Sequence, residues 1–251
     1  MNQALYGAIS GASNNQMRLD ILTNNLANVN TVGFKEDHLY FYIPDNEEDA
    51  GATVKAKGFV MSPPAQPYET RTNFTPSPLR PTNNVLDLAL EGEGFFCVQT
   101  PEGKSYTRRG DFSLTEKGKL ITKDGYPVLG KNGEIILKGF GEGKEIEVND
   151  AGEISLDGIR VDTLKVVGIG KQHMLQKVSG TLFSSQEGQA GEKEVENIKI
   201  KQGFLETSGV NGVRTMVEMI DVLRGYESYQ KVIHFLNDVS KKSINEVGKL
   251  A

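Results

Sequence analysis

An α+β fold, with long N- and C-terminal helices that pair in coiled-coil fashion and an antiparallel all-β domain between them, follows from three observations on this sequence. Apolar residues recur at heptad spacing over residues 5–29, glycine-centred turn signals punctuate residues 85–204, and a second helical apolar stripe begins at residue 213. The expected divisions are an N-terminal assembly helix at 1–33, an extended Pro-rich connector at 34–84, a central β domain at 85–204 and a C-terminal assembly helix at 205–251.

In the first element Leu5, Ala12, Leu19 and Leu26 fall seven apart, and Ala8, Asn15, Leu22 and Val29 fill the second position of the same seam. Its charge is confined to Arg18 and Asp20. Where a surface helix usually carries Lys and Glu, this one has Asn2, Gln3, Asn14, Gln16, Asn24, Asn25 and Asn28, a face suited to burial among other chains. Asn30-Thr31-Val32-Gly33 ends the pattern; Gly33 can supply the left-handed geometry of a helix C-terminus, and Phe34 is expected to pack back on the last turn.

The connector holds seven of the nine prolines between Pro44 and Pro81, which excludes a regular helix there. Its length predicts a segment laid along another surface or folded as a short hairpin. From Val85 onward, Glu102-Gly103, Lys117-Gly118, Asp124-Gly125, Asn132-Gly133, Ala151-Gly152 and Asp157-Gly158 mark turns between alternating runs such as Glu145–Val148 and Arg160–Val167. Asn132-Gly133 is the strongest single hairpin signal. An antiparallel sheet system with one solvated face follows, interrupted by a Gly-, Gln- and Glu-rich tract from Ser184 to Lys193 that reads as a mobile loop.

The closing stripe runs through Val213, Met216, Val217, Ile220, Leu223, Tyr226, Ile233, Leu236, Ile244 and Val247. Helices over 3–30 and 213–248 would span about 42 and 54 Å at 1.5 Å per residue, more than one small core covers. Their apolar faces need partners, and the uncharged back of the first helix is satisfied most simply by copies of the same chain or its homologues in an open helical stack. The residues assigned to this assembly interface are Leu5, Ala12, Leu19, Leu22, Leu26, Asn28, Thr31, Gly33 and Phe34 from the first end. Val213, Val217, Ile220, Leu223, Arg224, Tyr226, Ile233 and Leu236 come from the second.

Composition narrows the alternatives. The 28 basic and 33 acidic residues are interspersed and leave a net charge of -5, so the chain lacks the electrostatic footprint of a nucleic-acid binder. No apolar run reaches the roughly 18 residues of a membrane span, and no basic residue precedes Arg18, which predicts export without a cleaved Sec-type signal. Cys97, within Phe95-Phe96-Cys97-Val98, reads as a small buried hydrophobe.

The chemical motifs are thin. His38, His173 and His234 have no ligand partners at metal-binding spacing. Gly139–Lys144 lacks the first glycine of a phosphate loop and is followed by Glu145 instead of Ser or Thr. Asn73-Phe74-Thr75 is a glycosylation sequon of the kind that arises by chance. Glu91 and Glu93 sit in a glycine-rich turn without a nucleophile or base beside them. Neither catalytic residues, nor a cofactor, nor a metal are expected.

Asn24-Asn25-Leu26-Ala27-Asn28-Val29-Asn30-Thr31-Val32-Gly33-Phe34-Lys35 resembles the N-terminal signature of flagellar axial proteins, the family of basal-body rod and hook subunits. Gly203–Asn211 followed by Met219–Glu227 resembles that family's C-terminal signature, and Asn83–Phe96 the opening of its central domain. The resemblance implies a structural subunit, exported by the flagellar type III apparatus and stacked helically in the periplasmic rod, whose terminal helices pair as the inner tube with the β domain outside. Ser243-Ile244-Asn245-Glu246-Val247-Gly248 looks most like the F-type, proximal-rod members, with the G-type, distal-rod members as runner-up. Gly209 and Gly225 stand where the family commonly has Asn and Ala.

Two readings from other classes compete with assembly. One is a peptidoglycan- or carbohydrate-acting enzyme, which would need two carboxylates at hydrolase separation in a cleft. The other is a binding module whose terminal helices merely dimerise.

Overall fold

The computed structural model describes residues 2–41, 68–139, 141, 144–185, 191–194 and 199–247. The chain forms two compact units, one of Met1–Ala27, Asp37–Arg71 and Asn211–Ala251, the other of Asn28–Glu36 and Thr72–Val210. The fold is α+β, as the sequence predicts: a helix at each end and an antiparallel β region between them.

In the first unit, helix α1 (Asn2–Ala27) and helix α2 (Gly212–Val247) are the principal elements. Asn211 starts α2 as an N-cap, its Oδ1 accepting from Arg214 N at 3.1 Å. The strand Asp37–Phe41 pairs with Tyr68–Thr72. This pairing joins the two ends of the segment 42–67, which holds four of the seven prolines there and lies outside the described residues.

Helix α1 ends at Ala27, earlier than its pattern suggests, and the polar residues near its end make bonds outside the helix. Buried Asn25 donates from Nδ2 to Asp37 O at 2.8 Å and accepts from Asp37 N at 3.0 Å, so its amide pairs with the strand as a peptide group would. Thr31 then closes a separate turn, donating from N and Oγ1 to Asn28 O and Oδ1, both at 3.0 Å. Gly33 does adopt positive φ, +65°, but in this following turn and not as the helix cap.

The second unit is built on a six-stranded antiparallel sheet ordered Gln176–Ser179, Leu182–Ser184, Gly103–Thr107, Phe95–Thr100, Val166–Ile169, Glu192–Glu194. The strand Phe95–Thr100 shows how sequence alternation becomes two cores. Phe96 and Val98 join Leu88, Leu90, Phe112, Val128, Ile135, Ile154 and Leu164 on one face, while Phe95 and Cys97 join Phe74, Tyr106, Val167 and Phe183 on the other. This sheet is therefore covered on both faces, which differs from the expected single solvated face; the run Phe95–Val98 is apolar at every position for that reason. Phe74, Phe95 and Phe183 meet edge to face, with ring centroids 5.0–6.2 Å apart.

Smaller ladders complete the unit. Leu88–Glu91 pairs with Lys199–Gln202, Leu79–Pro81 with Phe204–Glu206, and Ile146–Val148, Glu153–Leu156 and Ile159–Thr163 form a three-stranded meander. The end of the proline-rich connector thus belongs to the β unit. All of the predicted turn signals fall at turns. The Asn132-Gly133 hairpin turns on Lys131-Asn132, since Gly130 pairs with Gly133. The tight two-residue turn with both φ positive is at Asp157 (+52°) and Gly158 (+76°), between paired Leu156 and Ile159. Within the Ser184–Lys193 tract, residues 186–190 lie outside the described residues, and Glu192–Glu194 forms a sheet edge.

Candidate functional site

Seven-residue spacing places Leu5, Ala8, Ala12, Asn15, Leu19, Leu22 and Leu26 along one stripe of α1, where all are buried or half-buried. On α2 the buried or half-buried stripe is Thr215, Met219, Val222, Tyr226, Ile233, Leu236 and Ser240, again at steps of three, four or seven. These stripes face each other. The Tyr229 ring occupies the space beside Gly11, and the Asn15 side chain reaches the position that a Cβ on Gly225 would take, 2.7 Å away. Gly11 meets 229 and Asn15 meets 225, so the helices run antiparallel.

Of the predicted interface residues, Tyr226, Ile233 and Leu236 lie on this inner stripe, whereas Val213, Val217, Ile220, Leu223 and Arg224 do not. Val213, Val217 and Ile220 each precede an inner-stripe residue by two positions, about 200° around a helix turning 100° per residue. They therefore lie on the opposite side, with Met216, Leu223, Val232, Phe235 and Val239 also exposed. Val213 is 76% exposed and Phe235 66%. The single C-terminal stripe read from the sequence is two faces, one covered by α1 and one bare.

The remaining predicted residues sit in the second unit. Asn28 and Thr31 form the turn described above. Phe34 is buried, with Lys177 Nζ 4.3 Å from its ring centroid. Gly33 lies against the backbone of Arg108, where a Cβ would come within 2.6 Å of the Arg108 carbonyl carbon. Gly33 N donates to Glu206 O and Gly209 N to Phe34 O, each at 2.9 Å, so the two signature segments lie side by side.

Between them is a charged cluster that spacing alone did not reveal. Lys35 is 0% exposed, Glu206 1% and Arg108 2%. Lys35 Nζ donates to Glu206 Oε1 at 2.6 Å and to Thr75 O at 2.7 Å. Ser77 N donates to the same Oε1 at 2.8 Å, and Arg108 Nη1 reaches Oε2 at 3.5 Å. The other arm, Arg108 Nη2, donates to Gly92 O at 2.6 Å, and the guanidinium lies 5.4 Å from the Phe95 centroid. Burial lowers the Lys35 pKa against the opposing pull of Glu206, and lowers that of Arg108 against Glu206 and Glu93. The sequence signal was a Lys and a Glu within the two resembling segments; their distance along the chain hid the pairing.

Of the remaining chemical candidates, Cys97 and the Asn73 sequon have structural roles. Burial pushes the Cys97 thiol up to about 12, which leaves it protonated and unreactive near neutrality. Asn73 Oδ1 accepts from Thr75 N and Oγ1, its Nδ2 donates to Glu36, and Phe74 enters the core. The Gly139–Lys144 loop lies partly outside the described residues. Among the described residues no cluster of three metal-ligating side chains occurs, and no helix is long and apolar enough to cross a membrane.

Two antiparallel terminal helices, one with a bare apolar face, and a β unit in which the chain's exits are locked together define a structural protein with surfaces for association. Known families agree. Residues 5–35 match the flagella basal body rod protein family, 89–156 the D1 domain of the flagellar hook protein FlgE/F/G, and 201–246 the C-terminal region of the basal body rod FlgEFG proteins. The chain is 33% identical to the flagellar basal-body rod protein FlgF of Caulobacter vibrioides over 100% of both chains. It is 32% identical to the rod protein FlgG of Bacillus subtilis over 98% of this chain and 99% of that one, and 31% identical to FlgF of Rhizobium meliloti over 99% of both. The chain belongs to the flagellar basal-body rod protein family. Its members are structural proteins of the flagellum, and nothing in the family indicates a catalytic function.

Proposed function

We propose that this chain is a subunit of the proximal rod, exported by the flagellar type III apparatus and polymerised helically in the periplasm through terminal helices that pair as a coiled-coil-like element of the export channel wall. The observation that carries the reading is the bare apolar face of α2 at Val213, Val217, Ile220, Leu223 and Phe235. A helix covered by α1 on one side and apolar on the other has a second partner to find. The outer surfaces of α1 and α2 differ, α1 exposing amides such as Gln3, Gln16 and Asn24 beside Tyr6, Ile9, Arg18 and Asp20, and α2 a run of aliphatic side chains with Phe235. Contact between copies or homologues is therefore heterologous, which extends into a helical stack and disfavours a closed dimer.

The F-type assignment is supported by the ending Ser243–Gly248 and by alignment length. The Caulobacter FlgF alignment runs over 254 positions for this chain's 251 residues, against 273 for the Bacillus FlgG alignment, so the F-type match needs fewer insertions. The near-equal identities, 33% and 32%, favour a distal-rod subunit as the second reading. Electron microscopy of basal bodies from a strain lacking this gene tests both. Loss of the rod from its membrane-proximal end, restored by the wild-type chain, is the expected result; a truncation confined to the distal end selects the second reading, and intact rods refute both.

A further inference from the structure

We propose that Lys199–Glu206 is a closing strap on which folding of the whole β unit depends, so that a chain delivered N-terminus first has no folded β unit until this segment arrives; only the consequence for export rests on the reading above. The two strands of the strap, Lys199–Gln202 and Phe204–Glu206, stand outside the six-stranded sheet. They pair with Leu88–Glu91 and Leu79–Pro81, strands from the opening stretch of the same unit that have no other strand partner among the described residues. Gly203 turns between them at φ +77°, donating to Asp87 O and accepting from Thr82 N, both at 2.8 Å.

Side chains of the strap reach every part of the unit. Ile200 lies in the same core as Phe96 and Val98 of the large sheet and Ile154 of the meander. Gln202 ties in the meander again, accepting from Val148 N at 3.2 Å and donating to Ile146 O at 3.0 Å. Glu206 is the carboxylate that both Lys35 and Arg108 reach, at 2.6 and 3.5 Å, and all three are buried. Until it arrives, closing the unit would take two cations out of water without that partner, and a buried charge stripped of its partner is strongly destabilising.

Local pairing does not replace the strap. The hairpin of Phe95–Thr100 with Gly103–Thr107 is apolar on both faces and needs both cores to cover it. Ser113–Leu114 with Leu120–Ile121, and Leu129–Gly130 with Gly133–Glu134, join only two residues to two, and an isolated two-stranded hairpin is marginal in water. Lys35 and Glu206 lie 171 positions apart, so the contacts that complete the unit also close its longest loop. A chain threaded N-terminus first therefore keeps its β segment unfolded until nearly all of it has passed.

Hydrogen exchange of the purified full chain, resolved by segment, tests the strap. In wild type, with urea added below the unfolding midpoint, amides of Phe95–Thr107 and of Leu88–Glu91 are expected to open together with one common dependence on urea. Ile200→Val removes a single methylene group from the strap, a change small enough for the unit to fold, and is expected to speed exchange of both segments by the same factor, about fivefold. Acceleration confined to Leu88–Glu91 and Lys199–Gln202 overturns the proposal. So does an unchanged rate in both segments, or protection of Phe95–Thr107 that outlasts the opening of Leu88–Glu91 in urea. The readout needs neither rod nor export: failure of the wild-type chain to restore rods falls on the rod assignment alone, whereas independent opening of the large sheet removes the strap and leaves that assignment standing.

Discussion

Alanine at three helical glycines separates intrinsic helix preference from packing at the α1–α2 contact. Each of Gly7, Gly11 and Gly225 lies in a helix interior, where Gly→Ala contributes about 1 kcal/mol of helix stability. Around Gly7 no atom lies within 4 Å of the new methyl group, so Gly7→Ala is expected to realise that gain nearly in full. At Gly225 the methyl would meet Asn15 Nδ2 at 2.7 Å, but this is the tip of a flexible side chain that can rotate away. A partial offset leaves Gly225→Ala stabilising by about 0.5 kcal/mol.

Gly11 is the opposite case. Its new methyl would overlap three atoms of the Tyr229 ring, which must leave its place against α1. Overpacking of this kind costs about 1–3 kcal/mol, which outweighs the helical gain and leaves Gly11→Ala destabilising by about 1 kcal/mol. Thermal loss of the 222 nm circular dichroism signal in dilute monomer gives the order: Gly7→Ala highest, then Gly225→Ala, wild type and Gly11→Ala. If Gly11→Ala melts as high as Gly7→Ala, Tyr229 does not pack at Gly11 and the antiparallel pairing is wrong.

Leu22→Asp and Leu223→Asp are expected to part ways in the monomer. The first buries a charge in the helix seam and lowers the helical melting temperature; the second changes an exposed position, leaves melting within error and abolishes swimming in a complementation assay. Exposed His173, changed to Ala, is expected to leave motility intact, since no site chemistry is assigned to it. For Cys97, a thiol-specific chromogenic reagent at pH 8 should label the unfolded chain at once and the native chain only as it opens; rapid native labelling would contradict the burial that pushes this thiol up to about 12.

Burial raises the Glu192 pKa, but hydrogen bonds from Lys104 and Tyr106 and the Lys104 charge outweigh it and hold the carboxyl below its ordinary value. A depressed carboxyl contributes stability above its unfolded pKa and loses it as pH falls through the depressed value. The thermal midpoint of wild type is therefore expected to exceed that of Glu192→Gln at pH 6, with the gap closing below pH 4.5; a gap that stays constant into acid would refute the linkage.

The sequence by itself determined the element types, because those depend on periodicity and turn chemistry that act within a few residues. The heptad of Leu5, Ala12, Leu19 and Leu26 is the inner stripe of α1, and the Gly-containing turns divide the strands. What reached further along the chain stayed hidden. Residues 213–239 are apolar on two faces of one helix, and a periodic pattern cannot say which face α1 covers. Asn25 looked like one more amide on an uncharged back until folding brought Asp37 to it.

The buried charged cluster belongs to the same class. Lys35, Arg108 and Glu206 are ordinary charged residues in sequence, separated by strands and turns, and charge is normally a sign of exposure. Only the tertiary structure, which lays the two signature segments side by side within the β unit, removes them from water and brings them together, with backbone groups of Thr75, Ser77 and Gly92 completing their bonds. Local interactions are written in neighbouring residues; burial is a property of the whole chain, and it decided which apolar face stays bare and which charges must pair.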